Sequence, residues 1–292
     1  MEQIYSKGRA KINLALDVTG LRDDGYHAVC GIMQSLVLFD VLHIKKVYKP
    51  DYFKLVSNLP WLPTDERNLV WRAAHYLIER FEIKTGIFIS IDKAIPASAG
   101  LAGGSADCAA ALLGIRDLFE LPLSDAEIQE LSVQFGADVP FCVMKGCALA
   151  TGIGEVLEPL PRLPYMHILL AKPPAIVSTE HVFRQYKRFD AEKITRPDVG
   201  AMIDGIRAGD LPAICNAMGN ALEQVTAAKH PVIFDIKALM TASGAAAAMM
   251  SGSGPTVFGI FTGKAAAIAA GRAIKAALPE IGEIIVTKPY YQ

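Results

Sequence analysis

The chain has few cysteines and no long apolar segment. Only five cysteines occur among 292 residues, and no two of them form a C-x-x-C pair. This odd number without metal-ligand spacing argues against a disulfide framework or a zinc site and favours reduced thiols. No apolar run reaches the length of a membrane span, and the N-terminus lacks the apolar core of a secretory signal. We therefore expect a cytoplasmic protein without a membrane partner.

A strong excess of charge of either sign is also missing. The 29 Lys and Arg residues nearly balance the 30 Asp and Glu residues, which gives a formal net charge of −1. Without a basic face or a block of like charge, a nucleic-acid partner is not expected. A hydrophobic content of 52% is ample for a packed core, and the length suggests one large domain or two of ordinary size.

The most informative segment is a glycine-rich loop, Pro-Ala-Ser-Ala-Gly-Leu-Ala-Gly-Gly-Ser-Ala-Asp, at residues 96–107. The short apolar run at 86–91 predicts a strand before it, and the alanine- and leucine-rich run at 106–119 predicts a helix after it. Helix N-termini present unpaired N–H groups and partial positive charge, which suits phosphate. We expect Ser105 to be either the helix N-cap or a hydroxyl contact to an anion or metal.

The loop matches neither common nucleotide signature. No lysine follows the glycines as a P-loop requires, and the spacing G-x-x-G-G differs from the dinucleotide fingerprint G-x-G-x-x-G. A Rossmann oxidoreductase is therefore disfavoured. From this segment alone, a flexible glycine-rich turn without a ligand remains an alternative.

The rest of the chain reads as alternating strands and helices of an α/β protein. The run 10–18 predicts a strand with Lys11 and Asn13 on one face. Separate strands are predicted at 33–38 and 41–46, helices at 68–81 and from the capping box at 124–127, and a strand at 141–150. A proline cluster at 159–164 predicts a boundary between domains 1–161 and 162–292, and a last strand near 284–292 is expected to return to the first domain.

Three segments occur in an order and spacing that resemble those of one family of small-molecule kinases. They are Ala-Lys-Ile-Asn-Leu at 10–14, the loop at 96–107, and Met-Ser-Gly-Ser-Gly-Pro-Thr at 250–256. The family is named after galactokinase, homoserine kinase, mevalonate kinase and phosphomevalonate kinase. Gly-Tyr-His at 25–27 and Gly-Ala-Asp-Val-Pro at 136–140 further resemble the members that act on a cytidine-diphosphate-linked methylerythritol.

The resemblance implies an α/β fold of two domains. The N-terminal domain would resemble a ribosomal-protein domain, the C-terminal domain would be ferredoxin-like, and the active site would lie between them. It implies an ATP-dependent phosphotransferase that uses Mg²⁺ and acts on a small cytidine-diphosphate-linked substrate. We expect a monomer or a weak homodimer.

The resemblance also assigns roles to two charged residues. Lys11 would neutralise charge that develops on the transferred phosphoryl group. Asp138 would orient the acceptor hydroxyl and accept its proton late in the transfer. The alternatives are a solvated lysine on an exposed strand face and an aspartate that only caps a helix.

By the same resemblance, the remaining site residues divide between donor and acceptor. Tyr26 and Phe183 would stack on the two faces of the cytosine and His27 would hydrogen-bond its edge, although Phe183 is also a plausible core residue. No protein ligand to the metal is assigned. The acceptor side would comprise Asn13, Tyr26, His27, Phe183, Gly252 and Ser253. The ATP side would comprise Asn68, Lys93, Pro96, Ala97, Ser98, Ala99, Gly100, Leu101, Ala102, Gly103, Gly104, Ser105 and Ala106.

In several relatives the loop is richer in glycine than it is here, where Ala97, Ser98, Ala99 and Ala102 occupy such places. Because alanine is small, the phosphate cradle is expected to survive unless φ is positive at those positions.

Two classes of alternative remain open. One is another kinase of the same family, for homoserine or mevalonate, against which Tyr26, His27 and Asp138 argue. The other is a non-catalytic nucleotide-binding protein on the same fold, which would have no need for both Lys11 and Asp138.

Overall fold

The computed structural model describes residues 2–291. The strands in this range are β1 (Gln3–Leu21), β2 (His27–Val47), β3 (Phe53–Ser57), β4 (Gly86–Asp92), β5 (Cys147–Thr151), β6 (Val156–Pro159), β7 (His167–Lys172), β8 (Gly219–Asn220), β9 (Ala247–Met250), β10 (Val257–Phe261) and β11 (Glu283–Thr287). The helices are α1 (Leu69–Arg80), α2 (Gly103–Phe119), α3 (Asp125–Ser132), α4 (Val139–Met144), α5 (Thr179–Tyr186), α6 (Val199–Ala208), α7 (Leu211–Asn216), α8 (Glu223–Ala227), α9 (Val232–Ala242) and α10 (Lys264–Ala277). None of these helices is long and apolar enough to cross a membrane.

The chain forms two compact units. Among the described residues, the first comprises 2–10, 38–97 and 102–145, and the second comprises 11–37, 98–101 and 146–291. Both β1 and β2 contribute residues to each unit. The predicted boundary after residue 161 stays a prediction.

In the first unit, β2 pairs antiparallel with β4, and β4 pairs parallel with β3. The prediction of two strands at 33–38 and 41–46 is wrong, because β2 continues through both. The expected break falls at Asp40, whose carboxylate is fully buried. Its Oδ1 accepts hydrogen bonds from the backbone N–H groups of Ala94 and Ile95, at 2.6 and 2.8 Å. A polar residue that sequence reasoning treats as a strand end is therefore satisfied inside the fold.

Helices α1 to α4 complete the first unit. Helix α1 begins after Asn68, whose side chain accepts from the N–H of Val70, and the capping box of Ser124 and Glu127 is present at α3, as predicted. The prediction of a strand at 141–150 is wrong for residues 141–144, which belong to α4, and is confirmed after Gly146, where β5 begins at Cys147. Pro140 in the first turn of α4 favours a helix start, whereas an apolar run of this length does not distinguish a strand from a buried helix.

In the second unit, residues of β2 pair with β5, β5 pairs with β6, and β1 pairs parallel with β8. A separate antiparallel sheet has the strand order β11-β7-β10-β9. Together with its helices this sheet follows the βαββαβ pattern of ferredoxin-like domains, which confirms the expected arrangement. After β11 the chain hydrogen-bonds to β2, from Val37 N–H to the carbonyl of Lys288 and from Tyr290 N–H to that of Ser35.

Buried side chains from one face of the ferredoxin-like sheet and from the helices packed against it form a core of the second unit. Val257 and Phe261 of β10 pack in one cluster with Ile236 and Met240 of α9 and Ile274 of α10. Ile274 is fully buried in this core and is not one of the functional side chains described below, so a substitution there serves as a stability control.

Candidate active site

The glycine-rich loop joins β4 to α2, as the sequence predicts. Its backbone enters the left-handed region at Ser98 (φ 49°), Gly100 (φ 72°) and Ala102 (φ 56°). Gly100 has no room for a side chain, because a Cβ there would lie 2.3 Å from the carbonyl oxygen of Ser251. The phosphate cradle is expected to survive unless φ is positive where relatives have glycine, and φ is positive at two of those positions, Ser98 and Ala102. This conformation costs an L-residue about 1–2 kcal/mol.

Helix α2 starts at Gly103, and its N-cap is Ala102, which has no side chain able to cap the helix. Ser105 is therefore the third residue of the helix, and the expectation that it is the N-cap is wrong. A Cβ on Gly104 would meet nothing within 4 Å, so the space in front of this turn is open. Open space beside uncapped N–H groups is the arrangement that binds phosphate at helix N-termini.

The other loop side chains divide into buried and exposed sets. Pro96, Ala99, Leu101 and Ala106 are buried, and Ser98 is exposed, while Ala97 is half-buried. The buried set anchors the loop. The carbonyl oxygen of Leu101 also accepts a hydrogen bond from the backbone N–H of Lys11, at 3.1 Å.

Lys11 and Asn13 of β1 form a buried pair. Their side chains are 4% and 5% exposed, and Lys11 Nζ donates to Asn13 Oδ1 at 2.7 Å. The neighbouring Ile12 and Leu14 are fully buried on the other face of the strand. Lys11 is therefore not a solvated lysine on an exposed face, and an ammonium kept this dry interacts strongly with nearby negative charge.

The third motif, at 250–256, forms a tight turn in contact with the phosphate loop. Ser251 Oγ donates to the carbonyl oxygen of Gly100 at 2.9 Å. A Cβ on Gly252 would lie 3.3 Å from Asn13 Oδ1 and 3.3 Å from the carbonyl oxygen of Gly100. The structure thus brings Asn13, Gly100 and Gly252 together, as the resemblance implies for residues that share one site.

Asp138 is the residue just before α4 and is half-buried. Within residues 2–291 its side chain makes no capping hydrogen bond to this helix, although its carbonyl oxygen accepts from the N–H of Cys142 at 3.1 Å. The interpretation of Asp138 as a simple helix cap is therefore wrong. The role of its carboxylate in catalysis stays a prediction.

Lys93 lies in a buried ionic cluster that sequence reasoning missed. Its Nζ donates to Asp40 Oδ2 at 2.5 Å and to Asp107 Oδ2 at 2.7 Å. Burial opposes the ammonium charge, but the attraction of Asp107 and Asp40 outweighs it and raises the pKa of Lys93. A Cβ on Gly103 would lie 3.3 Å from Lys93 Nζ, so the cluster lies beside the first turn of α2.

Two carboxylates around one buried ammonium leave an excess of negative charge. Burial raises the pKa of Asp107 to about 8, and Asp40 adds to the shift while Lys93 opposes it. Asp107 Oδ1 is buried and has no hydrogen-bond partner among the described residues. The signal that could have found this cluster is an aspartate with apolar neighbours on both sides in each of two elements, Asp40 in β2 and Asp107 in α2. The predicted adenine-side residue Asn68 lies at the N-cap of α1.

An aromatic cluster surrounds His27 in the second unit. The ring of Phe183 lies 5.1 Å from that of His27 at a tilt of 32°, and Tyr186 meets His27 edge-on at 6.2 Å. Tyr26 is 62% exposed. Burial, and then the charge of Lys187, lowers the pKa of His27, and no described residue hydrogen-bonds its buried Nε2. Phe183 is only partly buried against the core, and Tyr186 was not predicted as a site residue.

The fold is that of a two-domain small-molecule kinase. It carries the glycine-rich loop, the turn at 250–256 and the Lys-Ile-Asn segment of β1 described above. The pattern of the GHMP kinases N terminal domain matches residues 68–146, and that of the GHMP kinases C terminal domain matches residues 202–280. The chain belongs to the GHMP kinase family, and the family expected from the sequence is confirmed.

Individual proteins that resemble the chain point to one kinase within this family. The chain is 48% identical over 88% of both chains to the 4-diphosphocytidyl-2-C-methyl-D-erythritol kinase of Exiguobacterium sibiricum. It is 45% identical over 92% of both chains to the enzyme of the same name from Lachnospira eligens. A crystal structure of 4-(cytidine 5'-diphospho)-2C-methyl-D-erythritol kinase superposes with a TM-score of 0.80 at 30% identity, covering 99% of this chain and 100% of the other.

Proposed function

We propose that the protein transfers the γ-phosphoryl group of ATP to the 2-hydroxyl of 4-diphosphocytidyl-2-C-methyl-D-erythritol, a step of non-mevalonate isoprenoid biosynthesis. The observation that carries the proposal is 48% identity over 88% of both chains to an enzyme of that name. The buried pair of Lys11 and Asn13 supports an enzyme rather than a non-catalytic nucleotide-binding protein, because binding alone does not require a desolvated ammonium.

The donor would bind at the phosphate loop. Backbone N–H groups at the start of α2, which Ala102 leaves uncapped, would face the phosphates. Asn68 and Lys93 would lie on the adenine side, with Lys93 fixing the first turn of α2 through Asp40 and Asp107.

The proposed magnesium ion would accompany ATP. Among residues 2–291 no three His, Cys, Asp or Glu side chains are grouped so as to hold a metal ion. The half-exposed hydroxyl of Ser105 in the open first turn of α2 fits a single protein contact to a cation that keeps phosphate and water ligands. When bound, the ion would neutralise phosphate charge.

Lys11 and Asp138 would carry the chemistry. Phosphoryl transfer requires little covalent work from the protein, so positioning and charge neutralisation dominate. The ammonium of Lys11, held by Asn13, would stabilise negative charge as the transfer proceeds. Asp138, whose carboxylate does not cap α4, would orient the acceptor hydroxyl and take its proton late.

The cytidine base would bind at the aromatic cluster of the second unit. Tyr26 and Phe183 would stack on the base, a contact worth about 1–3 kcal/mol. The buried, unpartnered Nε2 of His27 would gain a hydrogen bond from the edge of the base, which removes the cost of leaving it unsatisfied. Asn13, Gly252 and Ser253 would contact the remainder of the acceptor.

The test is phosphate transfer from ATP by purified protein to the cytidine compound, with homoserine and mevalonate in parallel. Product from the cytidine compound alone supports the proposal. Product from homoserine or mevalonate alone would show that the protein is a kinase but that the proposed acceptor is wrong. If no acceptor gives product, the non-catalytic alternative is supported. We further propose that the protein is cytoplasmic, has no nucleic-acid partner and is a monomer or a weak homodimer. Sedimentation over a concentration series tests the oligomeric state.

A further inference from the structure

The third motif is held from outside by a short segment that has no place in the proposed site. This segment, Asn-Ala-Leu-Glu at 220–223, begins at the second residue of the short strand β8. β8 pairs parallel with β1, with Gly219 opposite Ala15 and Asn220 opposite Leu16. A Cβ on Gly219 would lie 2.6 Å from the backbone nitrogen of Pro197. The pairing with β1 fixes Asn220 relative to the strand that carries Lys11 and Asn13.

The side-chain amide of Asn220 hydrogen-bonds to the third motif and to its own segment. It is 1% exposed, and its Nδ2 donates to the carbonyl oxygens of Met250 and Gly252, both at 2.8 Å. Its Oδ1 accepts from the N–H of Leu222 at 2.9 Å. One primary amide thus bridges two carbonyls of the turn, because its nitrogen supplies two donors and its oxygen remains free to accept.

Glu223 holds the same turn by a second contact. It is 3% exposed, its Oε2 accepts from the backbone N–H of Met250 at 2.8 Å, and its Oε1 pairs with Lys237 Nζ of α9. A buried carboxylate is tolerated because it is paired and hydrogen-bonded. Thr226 adds a third contact, from its hydroxyl to the carbonyl oxygen of Ser253 at 3.1 Å.

These contacts all reach the backbone of residues 250–253. The same turn meets Gly100 through Ser251 Oγ and lies against Asn13 at Gly252. The turn's own backbone bonds, from Ser251 N–H to Thr256 and from Gly254 N–H to Ser251, shape it but do not locate it. Contacts outside the turn therefore locate it relative to Asn13 and Gly100, and Asn220 and Glu223 supply three of them. The others include the bond of Thr179 Oγ1 with Ser253 Oγ at 2.8 Å and that of Thr256 N–H to the carbonyl oxygen of Ala99 at 3.4 Å.

We infer that Asn220 and Glu223 are positioning residues for phosphoryl transfer, which hold the backbone of residues 250–253 against Asn13 and the phosphate loop. They touch neither reactant and act through the turn. The inference rests on the proposed function, because the turn matters only if Asn13 and Gly252 contact the acceptor. Small displacements of positioning groups are sufficient to lower the rate about 100-fold.

Four variants separate positioning from simple stability. Asn220→Ala and Asn220→Asp both remove the two donated bonds, and the second puts a carboxylate against two carbonyl oxygens. Glu223→Ala removes the acceptor of the Met250 N–H, whereas Glu223→Gln retains an acceptor oxygen at that place. Ile274→Val, in the core of the same unit and fully buried, is the control for lost stability.

The first readout is hydrogen exchange of the amides of residues 250–254, which needs no substrate. The second is steady-state kinetics, in which the KM for the cytidine substrate does not depend on the folded fraction of the enzyme. We expect faster exchange, a raised KM and about 100-fold lower kcat/KM in Asn220→Ala, Asn220→Asp and Glu223→Ala. Glu223→Gln should recover most of the loss, and Ile274→Val should melt earlier with unchanged KM.

The outcomes are distinct. Unchanged exchange in the Asn220 variants, or faster exchange with wild-type KM and kcat, overturns the inference while the wild type remains an active kinase. Equal losses in Glu223→Gln and Glu223→Ala overturn the role of Glu223. A wild-type protein that transfers no phosphate to the cytidine compound refutes the proposed function first, and the inference with it.

Discussion

Lys11 Nζ donates to Asn13 Oδ1 at 2.7 Å from within the same strand, and both side chains are almost completely buried. Residues two apart on a strand share a face, so the pair is a local consequence of the sequence Lys-Ile-Asn. Its burial is not local, because it requires other parts of the second unit to cover that face. The ammonium is thereby held in one orientation and kept from bulk water, as a group that stabilises transferred phosphate requires.

Replacement of Lys11 by methionine should abolish most of the activity without unfolding the protein. Methionine retains much of the apolar stem but removes the charge, and we expect kcat to fall about 100- to 1,000-fold. The measurement is kcat with saturating substrates, beside a thermal melt. The control is Lys7→Met on the same strand, whose exposed ammonium lies over the ring of Phe39. If Lys11→Met and Lys7→Met have equal turnover, Lys11 has no catalytic role.

Asp138 and Asp210 should respond to alanine in opposite ways. The carboxylate of Asp210 accepts from the N–H of Ala213 and caps α7, whereas that of Asp138 does not cap α4. Asp138→Ala should lower kcat about 100- to 10,000-fold with a nearly unchanged melting temperature. Asp210→Ala should cost about 1 kcal/mol of unfolding free energy and leave kcat intact. A turnover near wild type in Asp138→Ala excludes it as the group that accepts the proton.

Local signals in the sequence were sufficient for much of the fold. The helix predicted at 68–81, the capping box of Ser124 and Glu127, and the strand before the glycine-rich loop each depend on neighbours within a few residues. The errors occur where distant contacts decide. Asp40 is accommodated within β2 only because Lys93 and two backbone N–H groups meet its carboxylate, and no pattern near residue 40 indicates this.

In the candidate site, too, some features follow from local sequence and others depend on distant contacts. Motif spacing singled out the glycine-rich loop and the pair at Lys11 and Asn13, and their roles stay predictions. Asn220 and Glu223, which contact the third motif, belong to no motif identified in the sequence. Their role depends on the two-residue strand β8, which is too short to have a period of its own.

Substitution of the strained Ala102, at the start of α2, should increase the stability of the protein. Ala102 has φ 56°, a conformation that glycine adopts without penalty, so Ala102→Gly should raise the unfolding free energy by about 1 kcal/mol. Ala106→Gly, at a right-handed position inside α2, should lower it by about 1 kcal/mol. Urea unfolding of the two variants gives the comparison. A loss of stability in Ala102→Gly equal to that in Ala106→Gly would show that the left-handed backbone is not a source of strain.

The buried cluster of Lys93, Asp40 and Asp107 should make stability depend on pH. The pKa of Asp107 is raised from 3.8 to about 8, so between these values the folded state binds more protons than the unfolded state. By linkage, this contribution to stability is complete below the lower value and is lost as pH rises through the higher one. The unfolding free energy of Asp107→Asn, which cannot ionise there, should decline less over that range.

Unfolding by urea at a series of pH values measures the effect. Asp117→Asn, on the exposed side of α2 beside Arg116, is the matched control and should follow the wild-type pH dependence. Parallel curves for wild type and Asp107→Asn would mean that Asp107 is ionised in the folded protein throughout the range.

The aromatic cluster should determine affinity for the cytidine base. Phe183→Leu keeps an apolar side chain against the core but removes the aromatic face, so the KM for the cytidine substrate should rise by about 10- to 100-fold, as expected for one lost stacking contact. The KM for ATP should not change, because Phe183 belongs to the proposed acceptor side. Tyr186→Phe is the control, since it retains the ring edge against His27 and loses only the hydroxyl that accepts from Arg196. Equal values of KM in Phe183→Leu and wild type would remove Phe183 from the acceptor site and leave it a core residue, the alternative that its position on an amphipathic helix allows.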